Sequence, residues 1–143
     1  MTKVILLAVG ATVIVLLAAG TFFRNQNVPP NLTLESLTGE MLASDANSLL
    51  VDIRTPQEWQ ETGVIEGALL VTYSDADSFL KAIAPHLEQG QSIALVCRSG
   101  NRTSRAARQI SAKTDTPVID VAGGMIRIVR EGYVPVPASR AMQ

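Results

Sequence analysis

The sequence predicts an α/β fold: a parallel sheet of at least four strands with helices on both faces, preceded by one membrane-length apolar helix. Three observations carry this reading. Short apolar runs rich in branched residues alternate with stretches of helical periodicity, the pattern of strand–helix–strand units. Those runs are apolar at successive rather than alternate positions, as expected of strands buried on both faces. Residues 4–23, finally, form one uninterrupted stretch without a charged side chain.

The chain has 143 residues, 47% of them hydrophobic, and a formal net charge of −1, so it holds one domain plus appendages. As a helix, residues 4–23 would be about 30 Å long, the thickness of a bilayer's hydrocarbon core. Lys3 precedes the stretch and Arg24 follows it. A secretory signal has an apolar centre of about 7–15 residues, so this longer run favours a retained anchor over residues 1–24. Cleavage near Ala18-Ala19-Gly20, giving a secreted domain, is the alternative. The α-amino group and Lys3 outnumber Arg24, which by the positive-inside rule places the domain on the exported, periplasmic side, with a cytoplasm-facing domain the other possibility. Residues 25–31, with Pro29-Pro30, read as a linker. Residues 32–137 form the domain and 138–143 a tail.

Within the domain, Leu34, Leu37, Met41 and Leu42 fall near helical spacing, weakened by Gly39. Residues 45–48 make a turn and 49–53 a buried strand. Thr55-Pro56-Gln57-Glu58 has an N-cap, a proline at the first helical position and a glutamate at the third, so a short helix carrying Trp59 should run to Gly63, with the indole in the core. Residues 67–71 give another strand. Ser74 or Asp75 caps a helix through Phe79, Leu80, Ile83 and Leu87, which Pro85 should kink. Residues 93–96 and 117–121 are the remaining strands. Gly123-Gly124 turns the chain into residues 125–130, and the proline-stiffened stretch 132–137 should pack along the body before fraying.

The only cysteine, Cys97, stands where the strand 93–96 passes through a glycine-containing loop into the helical stretch 103–110. In open α/β sheets, ligands bind at that carboxyl end. A helix N-terminus and successive loop N–H groups stabilise negative charge, as do Arg98, Arg102, Arg105 and Arg108 nearby. A lone cysteine can equally be a buried structural residue, but the glycine loop and arginine cluster point to a reactive thiolate that draws an anionic substrate. Arg105 and Arg108 can also be a solvated helix face. Asp52 and Arg54, at another strand end, read as a structural ion pair. His86, the only histidine, lies a helix and a strand before Cys97 and is expected to face solvent. One Cys and one His cannot build a zinc site, and neither metal nor cofactor is expected. The slightly acidic balance, with the arginines so local, argues against nucleic acid.

The loop Cys97-Arg98-Ser99-Gly100-Asn101-Arg102 resembles the active-site loop of rhodanese-type sulfurtransferases. So do residues 51–59 (Val-Asp-Ile-Arg-Thr-Pro-Gln-Glu-Trp), residues 63–68 and Gly123-Gly124-Met125, in the family's order and rough spacing. The resemblance implies a fifth strand near residues 32–34, for four to five in all. It also implies a Cys97 persulfide, charged by a thiosulfate-like anion and discharged to cyanide, a thiol or a protein acceptor. Arg98, Ser99, Gly100, Asn101 and Arg102 would bind substrate, with Asp52 and Arg54 as scaffold beneath the loop. Relatives often carry histidine at Val64 and proline at Glu66, departures expected to change turn packing rather than chemistry, and commonly place tryptophan at Ile128, so cover over the site should be reduced or differently shaped here. The alternatives are a membrane-tethered carrier or partner-binding module without enzymatic activity, and a cysteine phosphatase or arsenate reductase. The phosphatase signature puts an arginine six positions after the cysteine, where Thr103 stands.

Overall fold

The computed structural model of the protein describes residues 28–142. The stretch 4–23, expected to cross a membrane, lies outside them, as do residues 25–27 of the linker and Gln143. Among the described residues no helix is long and apolar enough to cross a membrane.

Five strands alternate with five helices: β1 (Leu32–Glu35), α1 (Gly39–Ser44), β2 (Ser48–Asp52), α2 (Pro56–Thr62), β3 (Leu69–Leu70), α3 (Ala76–Ile83), β4 (Ser92–Val96), α4 (Asn101–Ser111), β5 (Val118–Val121) and α5 (Gly124–Arg130). The strands form one sheet in the order β1-β5-β4-β2-β3, and every pairing is parallel. β4 is central. Its Ile93 and Leu95, with Cys97 just beyond it, pack with α3 and α4, while Ala94 and Val96 pack with α1 and α5. Successive side chains of a strand point to opposite faces, so an unbroken apolar run is what a sheet covered on both faces requires.

The chain leaves β2 toward β3 on one side and leaves β4 toward β5 on the other. The topological switch therefore lies between the carboxyl ends of β2 and β4, and it is there that Asp52 and Cys97 stand.

Several elements depart from their sequence reading. Leu34 belongs to β1 and is 69% exposed rather than helical. Gly39 begins α1 instead of weakening its interior, because a Cβ there would lie 2.7 Å from the Tyr133 Cβ. Pro85 ends α3 rather than kinking it: the helix stops at Ile83, since proline's ring and missing N–H block its continuation. Trp59 is half-buried on α2, a helix with no fully buried residue, and is not core. Ile128 fills the core beneath α5 and covers nothing. The C-terminal residues are also held. Val136 bridges Val64, the Gly67 N–H donates to the Arg140 carbonyl, and the Met142 N–H donates to the Ala68 carbonyl at 3.0 Å.

Candidate active site

Cys97 follows directly on β4, and α4 begins at Asn101, so only four residues separate the two elements. Gly100 makes the turn with φ 92°, a left-handed conformation that glycine adopts without penalty. This aims the Gly100 N–H at the Cys97 Sγ, 3.2 Å away. Thr103, buried on the first turn of α4, puts its hydroxyl 3.7 Å from the sulfur and donates it to the Gly100 carbonyl at 2.9 Å. Asn101 and Arg102 are helical residues rather than loop residues, because α4 starts two positions earlier than its periodicity suggests.

The loop is pinned from behind. The Met125 N–H donates to the Cys97 carbonyl at 2.8 Å and the Ile126 N–H to the Arg98 carbonyl at 3.0 Å. These are first-turn donors of α5, which have no partner inside their own helix. Turning both carbonyl oxygens toward α5 leaves the opposite side of the loop to its N–H groups, the side on which the sulfur sits. Gly124 (φ 57°) makes the close approach possible: a Cβ there would overlap the Cys97 carbonyl oxygen and lie 2.8 Å from the Arg98 carbonyl carbon.

Asp52 and Arg54 form the expected ion pair, fully buried and fork-to-fork. Nε and Nη2 of Arg54 donate to the carboxylate at 2.7–3.0 Å. The guanidinium also donates to the Thr62 hydroxyl at 2.6 Å and to the Gly63 carbonyl at 2.7 Å. The pair thus fastens the end of β2 to the C-terminal end of α2, with every charged atom satisfied as burial demands.

Arg102 is placed differently from its expected role on the substrate. Its guanidinium donates to both carboxylate oxygens of Glu58 on α2, at 2.5 and 2.8 Å. The arginine holds the Glu58 carboxyl at about 2, far below its ordinary value, with the Thr55 N–H assisting against burial. Glu58 also closes the capping box of α2 with Thr55. The hydrogen bonds and charge of Glu58 in turn raise the Arg102 pKa above its ordinary value. Arg98 and Ser99 are exposed. His86 is half-buried and stands before the start of β4, a five-residue strand of about 16 Å, at the opposite end of the sheet from Cys97.

A cleft of about 560 Å³ opens beside the loop, bounded by Arg98, by Arg54, Glu58, Glu61 and Thr62 from the β2–α2 side, and by Met125, Ile126, Val129, Arg130 and Pro135. Cys97 itself is wholly buried and does not line it. Among the described residues no group of three His, Cys, Asp or Glu side chains is placed to hold a metal ion.

Sequence reasoning missed three contributors: Thr103, Glu58 as the partner of Arg102, and Gly124 as the loop's seat. Only Gly124 left a signal, as the second glycine of a pair following a buried strand.

Comparison with known proteins agrees with this geometry. A thiosulfate sulfurtransferase of Arabidopsis thaliana, chloroplastic, is 30% identical over 90 residues, which is 57% of this chain and 74% of that protein. The crystal structure of a rhodanese-related protein from Thermoplasma volcanium superposes with a TM-score of 0.52 at 26% identity, over 69% of this chain and 94% of that one. A Staphylococcus saprophyticus protein does so with a TM-score of 0.51 at 26% identity, over 68% and 96%. The model of the rhodanese-like domain matches residues 36–131, from the end of β1 to the end of α5 with the whole Cys97 loop inside it, and the chain belongs to the rhodanese-like domain family.

Proposed function

We propose that the protein is a sulfurtransferase that takes sulfane sulfur from an anionic donor such as thiosulfate, holds it as a Cys97 persulfide and passes it to cyanide or a thiol. The observation that carries this reading is the short, pinned passage from β4 to α4. It is four residues long, with an N–H on the sulfur and its first two carbonyls turned away into α5.

In the first half-reaction the Cys97 thiolate attacks the outer sulfur of thiosulfate. A bond forms from Sγ to that sulfur, the donor's S–S bond breaks, and sulfite leaves with the electron pair. The negative charge ends on the terminal sulfur, near the Gly100 N–H and the start of α4, where fixed dipoles stabilise it. In the second, the acceptor nucleophile bonds to the terminal sulfur, and the Cys97 S–S bond breaks with its electron pair returning to Sγ. Neither half needs an oxidant, a reductant or an external base. Arg98, exposed and without an ion-pair partner among the described residues, is the group to hold the sulfonate. Arg102 acts from its pair with Glu58 as a fixed positive charge. Cys97 has no exposed surface, so the donor reaches it only as neighbouring side chains move aside.

Thr103, buried with its hydroxyl near the sulfur, favours this chemistry over a phosphatase, which needs an arginine at that position. The complete burial of Cys97 favours a second reading, a carrier that loads sulfur and releases it only to a docked partner. Intact mass after incubation with thiosulfate tests both. The wild-type chain should gain about 32 Da, one sulfur atom, removable by cyanide, and Cys97→Ser should gain nothing. Repeated thiocyanate production marks the enzyme, and loading without turnover marks the carrier. A wild-type chain unmodified across neutral pH would overturn both, and p-nitrophenyl phosphate hydrolysis faster than thiocyanate formation would make it a phosphatase.

A further inference from the structure

Asp120, on β5, is a buried carboxylate without a counter-charge. It is 5% exposed, and its Oδ2 accepts from the Ser104 hydroxyl of α4 at 2.7 Å. Its Oδ1, also buried, has no hydrogen-bond partner, and no ion pair among the described residues includes it. A carboxylate buried in this way is costly, and its retention beside a reactive thiol calls for a reason. Register partners in a parallel sheet share a face, and Asp120 is the partner of Leu95. It therefore lies on the side of the sheet that holds Leu95 and Cys97 beneath α4. One strand across and two residues along put the Cα atoms of Asp120 and Cys97 about 8 Å apart. Adjacent residues on the first turn of α4 serve the two groups: the Thr103 hydroxyl stands 3.7 Å from Sγ, and the Ser104 hydroxyl binds Asp120. The sulfur and the carboxylate thus share one helix N-terminus. Other charges on the elements around them are directed elsewhere. On α4, Arg102 is paired with Glu58, and Arg105 and Arg108 are exposed. On β1, Leu34 is the register partner of Asp120 and Glu35 turns to the opposite face, while β4 carries no charge. On α3, Asp77 and Lys81 are exposed. The Asp52–Arg54 pair and α5 lie across the sheet.

Resting on the sulfurtransferase reading, we propose that Asp120 is a positioning residue for sulfur transfer: without touching the sulfur, its uncompensated charge opposes negative charge on Sγ and keeps the Cys97 thiolate nucleophilic. The Gly100 N–H and the start of α4 stabilise that charge, and a thiolate that is stabilised attacks more slowly. Asp120 works against both from beneath the same helix. Attack on the donor draws the electron pair of Sγ into the new S–S bond, so the repulsion is relieved as the bond forms and favours the step.

The test follows the pH profile of Cys97 reacting with methyl methanethiosulfonate, a small neutral reagent. Sγ bonds to the methylthio sulfur and methanesulfinate leaves with the electron pair, so an S–S bond is attacked as in thiosulfate. Cys97 is the only cysteine, and intact mass of the whole chain therefore reads this residue alone. Asp120→Asn removes the charge and keeps an acceptor for Ser104, whereas Ser104→Ala removes the hydrogen bond and keeps the charge. Two charges about 8 Å apart at an effective dielectric constant of about 20 change thiolate formation by up to about thirtyfold. About half of that effect, on a logarithmic scale, returns as nucleophilicity. Asp120→Asn should therefore react about fivefold faster than wild type on the rising limb of the profile and about fivefold slower on its plateau, so that the two profiles cross. Asp120→Ser, a second neutral variant, should cross in the same way, while Ser104→Ala stays within about twofold of wild type throughout. Loading by thiosulfate on the plateau should fall by the same factor in Asp120→Asn. Neutral variants that lie above or below wild type at every pH, as a loosened or strained loop would give, overturn the proposal, and so does a crossing in Ser104→Ala. Crossed profiles with no persulfide formed from thiosulfate by any chain would sink the sulfurtransferase reading and leave the action of Asp120 on the sulfur standing.

Discussion

Alanine at Gly124 tests whether the seat beneath the loop sets both the stability of the domain and the position of its sulfur. Two costs arise. A residue with a Cβ in the left-handed region loses about 1–2 kcal/mol, less about 0.4–1 kcal/mol because alanine has fewer unfolded conformations to give up than glycine. The second cost is contact: the new carbon overlaps the Cys97 carbonyl oxygen and lies 2.8 Å from the Arg98 carbonyl carbon, both backbone atoms that cannot rotate away. Overpacking of this kind costs about 1–3 kcal/mol, and pushing the loop off α5 weakens two hydrogen bonds worth about 1 kcal/mol each. Gly67 supplies the control, having φ 75° but nothing within 4 Å of its would-be Cβ. Gly67→Ala should therefore lose about 1 kcal/mol, and Gly124→Ala about 3–5 kcal/mol. Denaturant titration followed by the fluorescence of Trp59, the only tryptophan, measures both. Persulfide loading by thiosulfate should fall about 100-fold in Gly124→Ala, the cost of an ångström of misplacement, and remain intact in Gly67→Ala. The reasoning fails if the two variants melt together, or if Gly124→Ala loads sulfur at the wild-type rate.

Two further substitutions address the charged anchors. Asp52→Asn leaves the Arg54 guanidinium buried without its counter-charge and should cost about 3–5 kcal/mol in denaturant titration; a loss under 1 kcal/mol would remove the pair from the scaffold. Glu58→Gln keeps the capping box but removes the negative charge that pairs with Arg102, so stability should fall by no more than about 1 kcal/mol while the KM for thiosulfate drops severalfold as the arginine is released. The pH dependence has a definite sign. A carboxyl depressed to about 2 when folded contributes stability that is fully present above its unfolded value of about 4.3 and is lost as pH falls through 2. The wild-type advantage over Glu58→Gln should then be flat from pH 8 to 5 and vanish toward pH 2, and an advantage that grew on acidification would contradict the pairing.

How much of this was legible in the sequence depended on whether the cause was local. The capping box of α2, the Asp75 cap of α3, the doubly buried strands and the glycine turn after Cys97 are all written within a few residues, and the structure has them. Even the Asp52–Arg54 pair spans only two positions. The Arg102–Glu58 pair joins residues 44 apart, and no periodicity or cap signals which of four arginines will meet which acid. Gly39 needed the position of Tyr133, 94 residues on, to be understood. Trp59 was misassigned because aromatic size argues for burial, while α2 lies at the rim of the site and buries no residue fully.

Three sets of contacts frame the loop. Glu58 holds Arg102 at the start of α4, Arg54 holds the end of β2 to α2, and α5 holds the carbonyls of Cys97 and Arg98. The loop is thereby held from α5 and from the start of α4, while Arg98 and Ser99 face solvent. Such a site is poorly suited to gripping a substrate on all sides, since its backbone has no room to open around a tetrahedral group. It suits a reaction in which one atom must reach one atom: the terminal sulfur of a donor meets a stationary Sγ, and the rest of the donor stays outside. The proposed second half-reaction makes the same demand with the acceptor thiol as the visitor. Rigidity of the loop thus leaves the approach to the acceptor, because the sulfur cannot move toward it.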